Sequence, residues 1–212
     1  MKRNLATSLR SWIARHLHTL RGASGFSLAE TTIILTTMTA LTATAAPSIM
    51  DYVSQARGIK VSGDVQVLSA AMVRLLFDVA HIKAGPTGQS PDLLVGAGDA
   101  VESAGGEAQP WALPMDGSRV QSLVDHLVTN DAGYPRRTGL GLFAKGWSGP
   151  YVDSVTADPW GHRYAVNIGV WGTDTAVIVL SAGPNGKVET PFRLTVFRPG
   201  GDDVLGLLGS QR

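Results

Sequence analysis

The sequence predicts an α+β fold, in which a long N-terminal helix, apolar in its first half and amphipathic in its second, packs on a small antiparallel β-sheet. Three observations carry that expectation. Residues 31–50 run for twenty positions without a formal charge, bounded by Glu30 and Asp51. Beyond them, apolar residues recur at three-and-four spacing as far as Val79, the period of a helix with one buried face. From residue 163 onward the texture changes to short β-rich runs divided by Gly, Pro and Asn. One helix on one sheet is a normal two-layer way to bury both apolar faces.

Composition narrows the function. The chain has 212 residues, with 18 Lys and Arg against 17 Asp and Glu, enough for one folded domain plus a tail. Lys2, Arg3, Arg10, Arg15 and Arg21 fall in the first 25 residues, which hold no acid; the other 13 basic residues face all 17 acids, a balance of −4. A partner made of nucleic acid is not expected from that balance, because phosphate binding calls for a basic surplus. Without cysteine there is no disulfide, thiolate zinc site, iron–sulfur cluster or cysteine nucleophile.

The uncharged run TTIILTTMTALTATAAPSIM has the length that spans a hydrocarbon core of roughly 30 Å as a helix. Seven of its residues are Thr, whose hydroxyls can bond back to the preceding turn and so be carried in lipid. The five upstream basic residues place the N-terminus in the cytoplasm and export the rest. Two export segments fit. A conventional secretory signal would end at the A-x-A string Ala43-Thr44-Ala45, although Pro47 crowds that cut and Glu30 stands at the entrance of the apolar region. The other begins at Gly25-Phe26-Ser27-Leu28-Ala29-Glu30, where a basic leader ends in Gly and a Glu stands four residues beyond the Phe.

These residues, with Pro47 twenty-one positions beyond the Phe, resemble the class III signal of type IV prepilins and type II secretion pseudopilins. The resemblance implies a pilin-like fold, cleavage after Gly25 by a prepilin peptidase and methylation of the new N-terminus at Phe26. It divides the chain into a basic leader at 1–25, a transmembrane and polymerisation helix at 26–53, and a periplasmic globular domain at 54–212. A carboxylate inside a membrane costs on the order of 3 kcal/mol at mid-bilayer and less near the edge. Glu30 therefore either reaches the headgroups or, as the resemblance implies, pairs with the α-amino group of Phe26 on a neighbouring subunit.

Along the second half of the helix, Tyr52, Ala56, Ile59, Val61, Val65, Leu68, Met72, Leu75 and Val79 form the apolar stripe, whose expected role is core packing. Lys60, Asp64, Gln66, Arg74 and Asp78 occupy the opposite face, and Gly85-Pro86 supplies a stop. Residues 85–117 have no sustained period and read as an irregular surface loop. Ser118 is placed to cap a short helix with Val120, Leu123, Val124, Leu127 and Val128 on its apolar face. RYAVNI, TAVIVLS and FRLTVF are the expected strands, at 163–168, 175–181 and 192–197.

A second resemblance follows. Gly146-Trp147-Ser148-Gly149-Pro150-Tyr151-Val152 with Asp158-Pro159-Trp160-Gly161-His162-Arg163-Tyr164, then Leu180-Ser181-Ala182-Gly183-Pro184-Asn185-Gly186 and Gly201-Asp202-Asp203-Val204, are similar to the signatures of G-type major pseudopilins. On their own, Asp158-Pro159-Trp160-Gly161 and Gly183-Pro184-Asn185-Gly186 are turn sequences. The resemblance implies a calcium ion pinning the C-terminal segment. Calcium wants hard oxygens, and Asn185, Asp202 and Asp203 are the candidate ligands, helped by Glu189 and by carbonyls near Ser181 and Val188.

No catalytic constellation emerges, so an enzyme is not expected. Ser148 lacks the G-x-S-x-G elbow, His126 follows Asp125 on a short helix where neighbours diverge, and His81 and His162 have no companion at metal spacing. The expected function is a structural subunit of a type II secretion pseudopilus. Its expected partners are further copies and other pseudopilins, the prepilin peptidase, and an inner-membrane assembly platform with its ATPase. Its expected location is the bacterial inner membrane and then a periplasmic filament. A type IV pilus subunit is the nearest alternative; a soluble exported binding domain or enzyme is the alternative from another class.

Overall fold

The computed structural model describes residues 25–85, 88–139, 144–194 and 196–209. The basic leader lies outside them except for Gly25. The chain divides into two compact units, one ending at Tyr52 and one starting at Val53.

Helix α1 runs Leu28–Val79 and carries Pro47 in its interior. Its N-terminus is closed by a reciprocal pair. The Ser27 N–H donates to Glu30 Oε2 at 2.9 Å, and the Glu30 N–H donates to Ser27 Oγ at 3.2 Å. This capping box satisfies two of the donors that a helix start leaves open. In the first unit the large apolar side chains are exposed, among them Ile33, Leu35, Met38 and Leu41. This part of α1 is long and apolar enough to cross a membrane. All seven threonines, Thr31, Thr32, Thr36, Thr37, Thr39, Thr42 and Thr44, donate their hydroxyl to a carbonyl three or four residues back, as the composition of the span required.

In the second unit, Val61, Val65, Leu68, Met72 and Leu75 are buried as the spacing predicts. The stripe starts there and not earlier, for Tyr52 and Ile59 are more than 70% exposed. The opposite face is less solvated than its charges suggest. Asp78 is buried, and Asp64 accepts from the Tyr164 hydroxyl at 2.8 Å.

The five-stranded sheet has the order β3-β1-β4-β5-β7, from β1 (Leu93–Val95), β3 (Val120–Ser122), β4 (Ala165–Val166), β5 (Val177–Ser181) and β7 (Val204–Gly209). Pairs β1/β4, β4/β5 and β5/β7 are antiparallel, but β1/β3 is parallel, so the expected antiparallel sheet is in fact mixed. A second, two-stranded parallel sheet joins β2 (Glu102–Ser103) to β6 (Lys187–Val188). Where β7 meets α1, a Cβ at Gly206 would lie 2.6 Å from Ser69 Oγ and strike Val65, so the close approach requires glycine. The α+β, pilin-like architecture is the one the sequence predicts.

Three expectations are corrected. Residues 85–117 are not a surface loop: β1 is an interior strand of the sheet, and Leu93, Leu94, Val95 and Trp111 are fully buried, Trp111 against the edge of Phe192 at 5.0 Å between centroids. The helix expected from Ser118 is the strand β3 followed by a short helix α2 (Leu123–Leu127) capped by Ser122, while Asp116 accepts from the N–H groups of Ser118, Arg119 and Val120. The edge strand is β7 and not FRLTVF. In the latter, Leu194 only bridges Ala176, Val196 and Phe197 are exposed, and Thr195 lies outside the described residues.

Candidate functional site

Two places gather the residues singled out in the sequence. At the first, Gly25 and Phe26 precede α1 as exposed, non-helical chain, and Phe26 is 76% exposed. Glu30 has one carboxylate oxygen engaged by Ser27 of its own chain. The signal for that role, Ser followed three residues later by Glu, stood in the sequence but was masked by the larger motif around it.

The second place is built on the turn Asp158-Pro159-Trp160-Gly161. Asp158 is buried; its Oδ1 accepts from the Trp160 and His162 N–H groups at 3.0 and 2.8 Å, and its Oδ2 accepts from the Ser181 hydroxyl at 2.7 Å. Ser181 Oγ in turn accepts from the Gly183 N–H at 3.2 Å, so this carboxylate fixes the start of the loop after β5. Three N–H and O–H donors around one anion make a strong buried cluster.

That loop meets the segment before β7, bringing together Asn185, Asp202 and Asp203, with Glu189 beside them. The Asn185 N–H donates to Asp202 Oδ2 at 3.3 Å, and its side-chain amide donates to Glu189 Oε1 at 3.0 Å. Asp203 Oδ2 accepts from the N–H groups of Glu189 and Thr190 at 3.0 and 2.7 Å. The second oxygen of each acid, Glu189 Oε2, Asp202 Oδ1 and Asp203 Oδ1, is buried with no hydrogen-bond partner. Burial pushes the Asp203 carboxyl above its usual range, against the pull of its donors and with the Glu189 charge adding to the rise. Such oxygens are hard donors suited to calcium, although among the described residues no three acidic or histidine side chains already stand around one ion position.

Of the residues considered for catalysis, His126, Ser148 and His162 are hydrogen-bonded into the fold. His126 is fully buried, not superficial: its Nδ1 meets the Tyr134 hydroxyl at 2.7 Å and its Nε2 meets Gln121 Oε1 at 2.9 Å. Burial pushes its pKa down to about 4, so it is neutral. The tautomer with Nε2–H suits the Gln121 acceptor, leaving Nδ1 to accept from Tyr134. Ser148 donates to Asp78, which also accepts from the Tyr151 hydroxyl at 2.9 Å, a tie between the end of α1 and the Gly146–Tyr151 segment. His162 rests against the Gly183 carbonyl at 3.2 Å, and His81 is exposed.

No curated protein and no solved structure matches the chain. Residues 125–192 match the family model described as Type II secretion system (T2SS), protein G. The matched stretch holds the Asp158 turn, Asn185 and Glu189 and stops short of Asp202 and Asp203. It overlaps the motifs between Gly146 and Gly186, and together they support the recognition of this chain as a G-type pseudopilin of type II secretion.

Proposed function

We propose that the protein is a structural subunit of a type II secretion pseudopilus, cut after Gly25 by a prepilin peptidase, N-methylated on Phe26 and polymerised through its N-terminal helix to drive export. The observation that carries this is the exposed apolar half of α1, with Phe26 and Glu30 at its head, in a chain with a T2SS protein G match. An isolated helix that leaves Ile33, Leu35, Met38 and Leu41 exposed needs lipid or other copies around it. The N-terminus faces the cytoplasm and the domain from about residue 54 faces the periplasm. The partners are other pseudopilins and the inner-membrane platform with its ATPase, and the role is structural, not enzymatic.

Intact-mass and N-terminal peptide spectrometry, with and without a prepilin peptidase, tests this. Peptidase-dependent N-methyl-Phe26 is the expected result; a start at Ala46 indifferent to the peptidase overturns it in favour of a secreted soluble domain.

Calcium belongs to the same reading. The buried, unpartnered carboxylate oxygens of Asp202 and Asp203, with Asn185 and Glu189 beside them, are the oxygens a hard divalent cation would draw on, and such an ion would tie the loop after β5 to the segment before β7. A calcium-dependent rise in the melting temperature of the full chain in detergent supports it; a melt identical in calcium and in chelator refutes it.

A further inference from the structure

The last two turns of α1 leave part of their apolar surface outside the core. Val73 and Phe77, one turn apart, are 43% and 66% exposed, while their neighbours Met72, Leu75 and Leu76 are buried. Together with Pro150 and Tyr151 they line a cleft of about 400 Å³, a size that takes a few side chains. A second cleft, of about 460 Å³, is lined by Ala70 and the half-exposed Leu207, and Val73 and Arg74 belong to both. Apolar surface therefore extends from Leu207 to Pro150, with Arg74 between.

The charge offered on this surface is positive. Arg74 is exposed and has no partner among the described residues. Asp78, one turn further on, does not serve it. That carboxylate is buried and accepts from the hydroxyls of Ser148 and Tyr151, with Arg137 4.0 Å from its other oxygen. Lys145 supplies a second cation, its Nζ standing 4.6 Å from the centre of the Phe77 ring and donating to the Phe77 carbonyl at 2.6 Å. The bare carbonyls of a helix C-terminus ordinarily disfavour an anion. Here they are taken: Leu76 by the Ala80 N–H and Asp78 by the Gly146 N–H, both at 2.8 Å, and Phe77 by Lys145.

We infer that this surface docks an extended acidic segment of a partner protein, which seats an apolar side chain between Phe77 and Pro150 and pairs its carboxylates with Arg74 and Lys145. Charge complementarity selects the occupant, in a chain whose acids outnumber its bases beyond residue 25. An inorganic anion would neutralise Arg74 but leave Val73 and Phe77 in water, and a nucleic acid calls for a longer row of cations than Arg74 and Lys145 provide. The surface includes none of residues 26–53, so it stands independently of polymerisation through the N-terminal helix.

The test is selection of short random peptides, displayed on phage, against the full-length chain in detergent. Recovered peptides should carry Leu, Ile or Phe flanked by Asp or Glu. A synthetic copy, labelled with a fluorophore and titrated by anisotropy, should bind Arg74→Glu at least about tenfold more weakly than the wild type, because the reversed charge repels the segment. Arg74→Gln should lose less, Phe77→Ala should also weaken binding, and rising salt should weaken the wild type more than Arg74→Gln. Both side chains are exposed, so the variants should melt with the wild type.

A selection that enriches nothing, peptides without acids, or peptides that bind Arg74→Glu and Phe77→Ala as tightly as the wild type overturn the proposal. A single-stranded DNA oligonucleotide that binds more tightly than the peptide, and weakens with Arg74→Glu, overturns it in favour of a nucleic-acid surface.

Discussion

Tyr164 and Asp64, one hundred positions apart, are joined by a hydrogen bond of 2.8 Å from phenol to carboxylate. It links α1 to the residue just before β4, and the same Asp64 oxygen also takes Lys60 at 2.6 Å. Burial, then the Asp64 contact, pushes the Tyr164 phenol far above its ordinary range, so it stays a donor at every working pH. Tyr164→Phe should therefore cost about 1.5 kcal/mol, as expected for a lost bond to a charged acceptor. Chemical denaturation of the full chain in detergent measures it; a loss no larger than experimental error would show that Lys60 alone satisfies Asp64.

The Asp158 cluster should be the most sensitive point of the C-terminal half. Asp158→Ala strands the N–H groups of Trp160 and His162 and the Ser181 hydroxyl, and about 3 kcal/mol of destabilisation is expected. Ser181→Ala removes one donor and should cost about 1 kcal/mol. Equal effects of the two variants in thermal melts would contradict this ranking.

His126 gives the domain a pH-dependent component of stability. Its pKa falls from the ordinary 6.5 to about 4 in the fold, so between those values the unfolded chain binds a proton that the folded chain does not. Stability is fully present above pH 6.5 and is lost as the pH falls toward 4, by roughly 3 kcal/mol over the window. The Tyr134 phenol, pushed up to about 12 by burial, remains the donor throughout. Melting curves of the wild type and His126→Gln from pH 7.5 to 4 should differ in slope across this range; parallel curves would count against a buried neutral imidazole.

At the head of α1, Ser27→Ala removes the acceptor of the Glu30 N–H. Loss of such a cap costs about 1 kcal/mol, so that amide should exchange with solvent roughly five times faster in micelles. Hydrogen exchange followed by mass spectrometry or NMR reads it directly.

Much of this fold was legible where the signal was local and periodic. The stripe from Val61 to Leu75 and the turns at Asp158 and Gly183 needed only their own neighbours to be recognised. What stayed hidden was set by distant partners. Leu93-Leu94-Val95 is too short to show a period, and only pairing with β3 and β4 on its two sides makes it an interior strand of the sheet. FRLTVF has the better β-propensity, yet VLGLLG pairs with β5, its Gly206 allowing the approach to α1. Asp78 read as a solvated charge because Ser148 and Tyr151, which bury it, lie some seventy residues away. At the acidic cluster, the motif located the loops that meet, but not that the Asn185 amide donates to Glu189 Oε1. The direction of a side-chain amide is decided by the Lys187 N–H, which no residue pattern encodes.

The threonines of α1 alter how its first half presents itself to whatever surrounds it. Each hydroxyl proton is turned inward onto its own backbone, so what a neighbouring chain or an acyl tail meets at these seven positions is largely the γ-methyl. A run that looks half polar on paper thus behaves as a slender, methyl-coated rod. Lateral hydrogen bonding through Thr would first require breaking an internal bond, and between Leu28 and Met50 this leaves Glu30 as the sole ionisable group.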